Sequence, residues 1–152
     1  MSAPVLVPNS DLVLQCWLKT IPGIVNVGMT VPDDETSWAD DGFVQEMCTG
    51  GSPHPDFPLR MPMCTLWCWA VKIGSKKPPW GDAARLANLI FNACYDEQAV
   101  RRPLTVVAGG NRNYPAVLIK ELNVRSEPRP YPGDPGGRAR YTFDLEMNWV
   151  QP

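Results

Sequence analysis

Residues 63–73 limit the folds open to this chain more than any other segment, because they alternate as a strand does and are apolar on both faces. One face holds Met63, Thr65, Trp67, Trp69, Val71 and Ile73, and the other holds Cys64, Leu66, Cys68 and Ala70. A strand that is apolar on both faces is typical of the centre of a sheet with both sides covered. We therefore predict a central, covered strand here.

Apolar residues recur at helical spacing in two other segments. In the first, Asn9 or Ser10 can cap a helix whose apolar positions are Leu14, Trp17, Leu18 and Ile21. The pair Pro22-Gly23 then ends that helix. In the second, over 82–94, Asp82 can cap a helix with the apolar stripe Ala83, Leu86, Ala87, Ile90, Ala93 and Cys94.

Five further segments are predicted as strands: 24–31, 42–48, 104–108, 115–125 and 141–149. The chain order is therefore helix, strands, helix, strands, which is typical of an α+β domain. We predict one α+β domain over 1–152, with a mostly antiparallel sheet and two helices packed on one face.

Proline restricts regular structure elsewhere, since 17 of 152 residues are proline, about twice the usual share of roughly 5%. We expect extended loops at about 33–41, 49–62 and 126–138. The last loop lies between the strands predicted over 115–125 and 141–149 and is the richest in Pro and Gly: Pro128, Pro130, Pro132, Gly133, Pro135, Gly136 and Gly137. It is predicted to be a long Pro/Gly-rich arm, neither helix nor central strand.

Charge is uneven along a chain whose formal net charge is −2. Residues 33–46 hold six acids and no base, whereas residues 112–140 hold six bases and three acids. The acidic net charge disfavours a general binder of phosphate backbones. The two segments either align neighbouring subunits or partners, or are two solvated loops of opposite sign. The candidate contact residues are Asp33, Asp34, Glu35, Trp38, Asp40, Asp41, Arg112, Arg125, Arg129, Tyr131 and Arg138.

Residues suited to catalysis or metal binding are few: one histidine, His54, and five cysteines, with no nucleophile elbow, zinc-protease helix or phosphate-binding loop. A zinc site would draw on Cys48, His54, Cys64 and Cys68. It is disfavoured because Cys64 and Cys68 would lie about 13 Å apart on one extended strand. A nucleophile pair of Cys48 and His54 rests on sequence proximity alone. We expect no catalytic residue, metal or cofactor.

No run reaches the ~18 apolar residues of a membrane span, and the first residues lack the basic region of a secretory signal. We therefore expect no membrane association, and we expect the cysteines to be free thiols in a reducing cytosol.

The six tryptophans are a high count. For Trp67 and Trp69, packing in the core or between subunits is favoured over nucleic-acid stacking, because no basic residue interleaves with them. Trp38 and Trp80 lie in predicted loops and are better placed to contact a partner.

The sequence of elements carries a resemblance that extends over nearly the whole chain. Its parts are a helix ending in Leu18-Lys19, a strand Val27-Gly28-Met29-Thr30-Val31 closed by Pro32, a strand starting at Gly42-Phe43-Val44, an apolar strand Leu66-Trp67-Cys68-Trp69-Ala70, an Ala-rich helix over 82–94, an arm with Pro132-Gly133 and Gly136-Gly137, and a closing strand over 140–147. In this order they resemble the tail terminator (tail completion) proteins of long-tailed bacteriophages.

The resemblance implies a structural virion protein, made in the host cytoplasm and located at the head–tail junction. Such a protein forms a homohexameric ring that caps the head-proximal end of the tail tube and stops its polymerisation. The implied partners are the chain itself, the tail tube protein and a head-completion (stopper) protein of the neck. Encapsidated DNA would pass through the lumen without sequence readout. The family contributes no catalytic residue.

Three alternatives stay open at this point. The first is another ring protein of the same neck, such as a head-closure or adaptor protein. The second is a binding module for nucleic acid or a peptide, and strongly salt-dependent DNA binding would favour the nucleic-acid version. The third is an unrecognised enzyme, for which Cys48 and His54 are the residues to mutate.

Overall fold

A computed structural model describes residues 7–108, 112–134 and 136–152. The helices are α1 (Ser10–Leu18), α2 (Trp80–Ala93) and α3 (Glu97–Val100), with one turn of 3₁₀ helix at Glu35–Ser37. The strands are β1 (Val27–Gly28), β2 (Phe43–Thr49), β3 (Met63–Val71), β4 (Pro103–Ala108), β5 (Arg112–Val124), β6 (Arg129–Pro130) and β7 (Arg138–Val150). The predicted α+β class is confirmed, with a short third helix, α3, that was not predicted.

The strands form one sheet in the order β1-β2-β3-β7-β5-β4, with β6 also paired to β7. Only the pair β1–β2 is parallel among the described strand pairs, so the prediction of a mostly antiparallel sheet is confirmed. The apolar strand β3 lies between β2 and β7 and pairs with both along its length. Its predicted central position is therefore confirmed.

The helices α1 and α2 contribute to one buried cluster on the sheet. Asn9 caps α1, since its side-chain oxygen accepts a hydrogen bond from the Leu12 amide at 2.8 Å. The helix side chains in this cluster include Leu14, Trp17, Leu18, Leu86, Ala87 and Ile90, and the sheet side chains include Cys64, Leu66, Cys68, Phe143, Leu145, Met147 and Trp149. Each large apolar side chain buried there stabilises the fold by roughly 1.5–3 kcal/mol. This helix-covered side is called the inner face of the sheet below.

Several predicted boundaries are wrong. The strand predicted over 24–31 has only the two residues Val27–Gly28 in the sheet, because β1 is an edge strand whose neighbours Val25 and Met29 are exposed. The helix α2 begins at Trp80, and Asp82 lies in its first turn instead of at the cap. The strand β7 begins at Arg138, three residues before the predicted start.

Part of the predicted arm lies along β7. Arg129 and Pro130 pair with Thr142 and Tyr141, and the Tyr131 amide donates to the Arg140 carbonyl at 2.8 Å. The arm residue Pro135 lies outside the described residues. Residues 129–131 therefore continue the pairing of β5 along the same side of β7.

Candidate interaction surface

The side of the sheet opposite the helices is called the outer face here. On β3 it carries Met63, Thr65, Trp67, Trp69 and Val71, and these side chains pair across to the outward residues of β2 and β7. All except Val71 are half-buried, whereas the inward residues of β3 are buried. In the described part of the chain, helices cover only the inner face of the sheet. The prediction that β3 is covered on both sides is therefore wrong for the single chain.

Two arginines and three aromatic rings stack at one end of the outer face, and we call them the arginine–aromatic cluster: Trp38, Trp69, Tyr131, Arg138 and Arg140. The Arg140 guanidinium lies between two rings, 4.6 Å from the centre of Trp69 and 3.8 Å from that of Tyr131. The Arg138 guanidinium lies 5.3 Å from Trp38 and 6.0 Å from Trp69. Each such cation–π contact contributes about 0.5–2 kcal/mol, depending on burial.

Carboxylates neutralise both arginines of the cluster. Arg140 donates two hydrogen bonds to Asp134, at 3.0 and 2.7 Å, and this pair is mostly buried. Arg138 forms an ion pair with Glu35 at 3.5 Å. A phosphate would have to displace these carboxylates, so the cluster is poorly suited to nucleic acid and better suited to a protein surface.

The ion pair of Glu35 with Arg138 brings two predicted contact residues together within one chain. Complementarity of the acidic loop and the basic segment between subunits was one of two interpretations, and at this point the two segments already meet inside the subunit. The Asp34 side chain caps the short 3₁₀ helix of its own loop, since it accepts a hydrogen bond from the Thr36 amide at 3.1 Å. The acids Asp33, Asp40 and Asp41 are exposed.

Trp38 does not have the exposed position that a loop residue was expected to have. Its side chain is 2% exposed, because it packs against Phe43 and Val71, and its indole N–H donates to the Pro32 carbonyl at 3.1 Å. The indole anchors the acidic loop to the outer face and offers little area to a partner. Trp80, at the start of α2, is 36% exposed, and its ring packs edge-on against that of Tyr141.

The remaining predicted contact residues are spread over the outer face and its edges. Tyr131 is 47% exposed. Arg129 is exposed and donates to the Ser126 hydroxyl at 3.3 Å. Arg125 forms an ion pair with Glu146 at 2.8 Å, at the end of the outer face away from the cluster. The backbone of Arg112, the first residue of β5, pairs with that of Ala108, the last residue of β4.

Sequence reasoning missed three residues that build this surface: Gln45, Asp134 and Arg140. The Gln45 side-chain oxygen accepts a hydrogen bond from the Trp69 indole at 2.9 Å and fixes the orientation of that ring. A signal was present in the i, i+2 spacing of Arg138 and Arg140, which puts both on one face of a strand. It was missed because the strand was predicted to begin at 141.

A second group of polar side chains lies on the inner face, under α1. Glu46 is fully buried, and burial raises its pKa to about 8. Its carboxylate accepts a hydrogen bond from the Gln15 side chain at 2.9 Å. The Cys48 amide donates to the Asp11 carboxylate at 2.8 Å, and the Cys48 sulfur lies 2.7 Å from that of Cys64.

The contacts of Cys48 and His54 test the zinc site and the nucleophile pair that the sequence left as alternatives. Of the four residues weighed for zinc, the structure brings Cys48 and Cys64 together, with Asp11 and Glu46 beside Cys48. Hydrogen bonding with Cys64, together with burial, raises the pKa of the Cys48 thiol and disfavours a thiolate nucleophile. The His54 Nδ1 accepts hydrogen bonds from the amides of Asp56 and Phe57, so that atom is already engaged.

Two of the cavities among the described residues lie away from the outer face, beside the helices. One, of about 670 Å³, lies between the end of α2, α3 and β5 and is lined by Tyr95, Arg101 and residues 120–125. The other, of about 410 Å³, is bordered by Asp11 and Cys48 and by residues 49–51 and 60–62. The second cavity therefore gives access to the polar group under α1.

Among the described residues, no helix is long and apolar enough to cross a membrane. Comparison of the chain with protein-family models and with curated proteins finds no match.

Proposed function

We propose that this chain is a structural protein of a long-tailed bacteriophage, a tail terminator that forms a homohexameric ring. The ring would cap the head-proximal end of the tail tube, stop its polymerisation and join the tail to the neck. The order of helices and strands along the chain supports the proposal, because it resembles that of tail terminator proteins. The observation that carries it is the outer face, where large side chains remain half-exposed and several are oriented by stacking and hydrogen bonds.

The composition of the outer face is typical of a protein interface. Trp, Tyr, Met and Arg are enriched in the cores of interfaces, and the outer face presents Trp67, Trp69, Tyr131 and Met47 beside two arginines. The rings of Trp69 and Tyr131 are already oriented by stacking on Arg140, and that of Trp69 also by its hydrogen bond to Gln45. Ordering them on binding therefore costs little conformational entropy, which favours association.

A closed ring of identical subunits needs two different patches on each subunit that fit one another. We infer that the outer face supplies one patch and that the exposed charges supply its polar rim. Because Glu35 and Arg138 pair within the chain, the charges left for a neighbour include Asp33, Asp40 and Asp41 on one side and Arg129 on the other. Arg129 and Tyr131 belong to the segment that the sequence predicts to be a Pro/Gly-rich arm, and we propose this segment as a contact to the adjoining subunit.

The proposed ring lies at the head–tail junction of the virion, and its partners follow from that location. One rim of the ring would bind the tail tube protein, and the other rim would bind a head-completion protein of the neck. The lumen would pass DNA without reading its sequence, in keeping with an acidic net charge of −2 and neutralised arginines.

The experiment is a polymerisation assay with the tail tube protein encoded by the same virus, with tube lengths measured by electron microscopy. A tail terminator stops growth when it is added to short tubes. A head-closure or adaptor protein leaves tube growth unchanged, and that result would overturn the assignment.

Two matched variants test the role of the outer face. Met47 and Val25 are both exposed apolar residues, 42% and 55% exposed, and Met47 lies on the outer face whereas Val25 precedes the edge strand β1. Met47→Glu should abolish ring formation and tube termination, whereas Val25→Glu should retain both. Equal behaviour of the two variants would contradict the outer face as an interface.

A further inference from the structure

The polar group under α1 is built from three elements that meet in space. Asp11 lies in the first turn of α1, Glu46 and Cys48 lie two residues apart on β2, and Cys64 is the register partner of Cys48 on β3. The ligand atoms of Asp11, Glu46 and Cys48 all lie within 4.8 Å of one another. The sulfur atoms of Cys48 and Cys64 are 2.7 Å apart. We propose that these four side chains bind one Zn²⁺ ion, in a structural site independent of the proposed ring.

The donor atoms suit zinc better than the hard cations. Zn²⁺ takes four ligands in a tetrahedron, with bonds of about 2.3 Å to thiolate sulfur and about 2.0–2.2 Å to carboxylate oxygen. Those bonds place neighbouring ligand atoms roughly 3.5 Å apart. The ligand atoms of Asp11, Glu46 and Cys48, which lie within 4.8 Å of one another, would move slightly closer together. The two sulfur atoms, now 2.7 Å apart, would separate by about 1 Å, and Cys64 would join the group through Cys48. Calcium and magnesium prefer oxygen ligands alone, and the two thiols select against them.

The balance of charge also favours a cation at this position. Glu46 is fully buried, and among the described residues neither Glu46 nor Asp11 forms an ion pair with a Lys, Arg or His side chain. Burying a carboxylate without a counter-charge is costly, so Glu46 stays protonated until a cation is bound. A divalent ion supplies that charge, and the protons it displaces from the thiols and from Glu46 pass to solvent.

Hydrogen bonds already orient two of the ligands. Gln15, one turn after Asp11 on α1, donates to Oε1 of Glu46 at 2.9 Å, while Oε2 is the oxygen that faces the Cys48 sulfur at 3.7 Å. The Cys48 amide donates to Oδ1 of Asp11 at 2.8 Å. Such outer-shell bonds fix the direction of metal ligands and are typically worth a factor of about 10–100 in metal affinity.

An ion can reach the site through the cavity of about 410 Å³ that Asp11 and Cys48 border. Once bound, it would tie α1 to β2 and β3, in addition to their apolar packing and to the hydrogen bonds that Gln15 and Asp11 make with β2. Four protein ligands leave no open position for a substrate, so the site is structural instead of catalytic.

The experiment uses the full chain, purified under reducing conditions without chelator. Metal content is measured by mass spectrometry, and Co²⁺ is titrated into metal-depleted protein, since thiolate ligation gives a charge-transfer band in the near ultraviolet. We expect about one Zn²⁺ per chain and a saturable thiolate–cobalt band. Protein with no bound metal and no such band would overturn the proposal.

Variants assign the ligands. Cys48→Ser should weaken Co²⁺ binding by more than about 100-fold, because loss of a direct ligand exceeds the 10–100-fold effect of an outer-shell partner, and Asp11→Asn should also weaken it. Cys16→Ser is the matched control, because Cys16 is a half-buried thiol of α1 outside the group. Equal loss in Cys16→Ser would overturn the assignment. So would a Cys48–Cys64 disulfide in the purified wild type, detected as the mass of two missing hydrogens, because it consumes both thiolates.

Discussion

The arginine–aromatic cluster predicts that Arg140 stabilises the fold strongly although it is a charged residue of a sheet surface. Its side chain is 16% exposed and that of its partner Asp134 is 12% exposed, and two hydrogen bonds of 3.0 and 2.7 Å join them. Arg140→Ala removes both bonds and two cation–π contacts and leaves a mostly buried carboxylate without a partner. Breaking one side of a buried pair costs about 3–5 kcal/mol.

Urea denaturation followed by tryptophan fluorescence measures this loss. With a slope of about 2 kcal/mol per molar urea, a loss of 3 kcal/mol lowers the midpoint by about 1.5 M. Arg138→Ala is the control, because its ion pair with Glu35 is longer, at 3.5 Å, and more exposed. It should cost about 1–2 kcal/mol, because the exposed ion pair contributes little and its two cation–π contacts, at 5.3 and 6.0 Å, are longer than those of Arg140. In the double variant Asp134→Ala/Arg140→Ala, part of the loss should be recovered. A loss below 1 kcal/mol in Arg140→Ala, or one equal to that of Arg138→Ala, would refute the reasoning.

Three further predictions test the packing of the inner face and the turn before β2. Ile90→Ala should cost about 2–5 kcal/mol in urea denaturation, because Ile90 is fully buried in the cluster that α2 forms with the sheet. Gly42→Ala should destabilise the fold by more than about 1 kcal/mol in the same assay, since Gly42 has φ of +76° and a Cβ there would lie 2.8 Å from the Trp69 carbonyl oxygen. Thiol labelling should modify Cys16 in the folded protein but Cys68 only after unfolding, because Cys68 is fully buried; equal labelling rates would contradict the packing.

The sequence predicts the centre of this fold well because local periodicity determines it. The alternation over 63–73 and the helical stripe over 82–94 both reflect which side chains face the core, and β3 and α2 lie there. The short edge strand β1 and the four-residue helix α3 were mispredicted or missed. Edge strands and single helical turns depend on what packs beside them, and no periodic signal reports that.

The surfaces were harder to predict because they join distant parts of the chain. Glu35 and Arg138 were each singled out from charge, but their contact inside one subunit depends on the register of β7 beside β3. Asp11 and Cys48 are 37 residues apart, and the packing of α1 over β2 brings them together. The buried position of Trp38 likewise follows from the loop folding over Phe43 and Val71.

Native mass spectrometry of the purified chain across a concentration series shows whether six copies form a ring. We expect a species of six times the 16.9-kDa chain mass, which Met47→Glu loses and Val25→Glu keeps. A wild-type protein that remains a monomer over the whole series would contradict it.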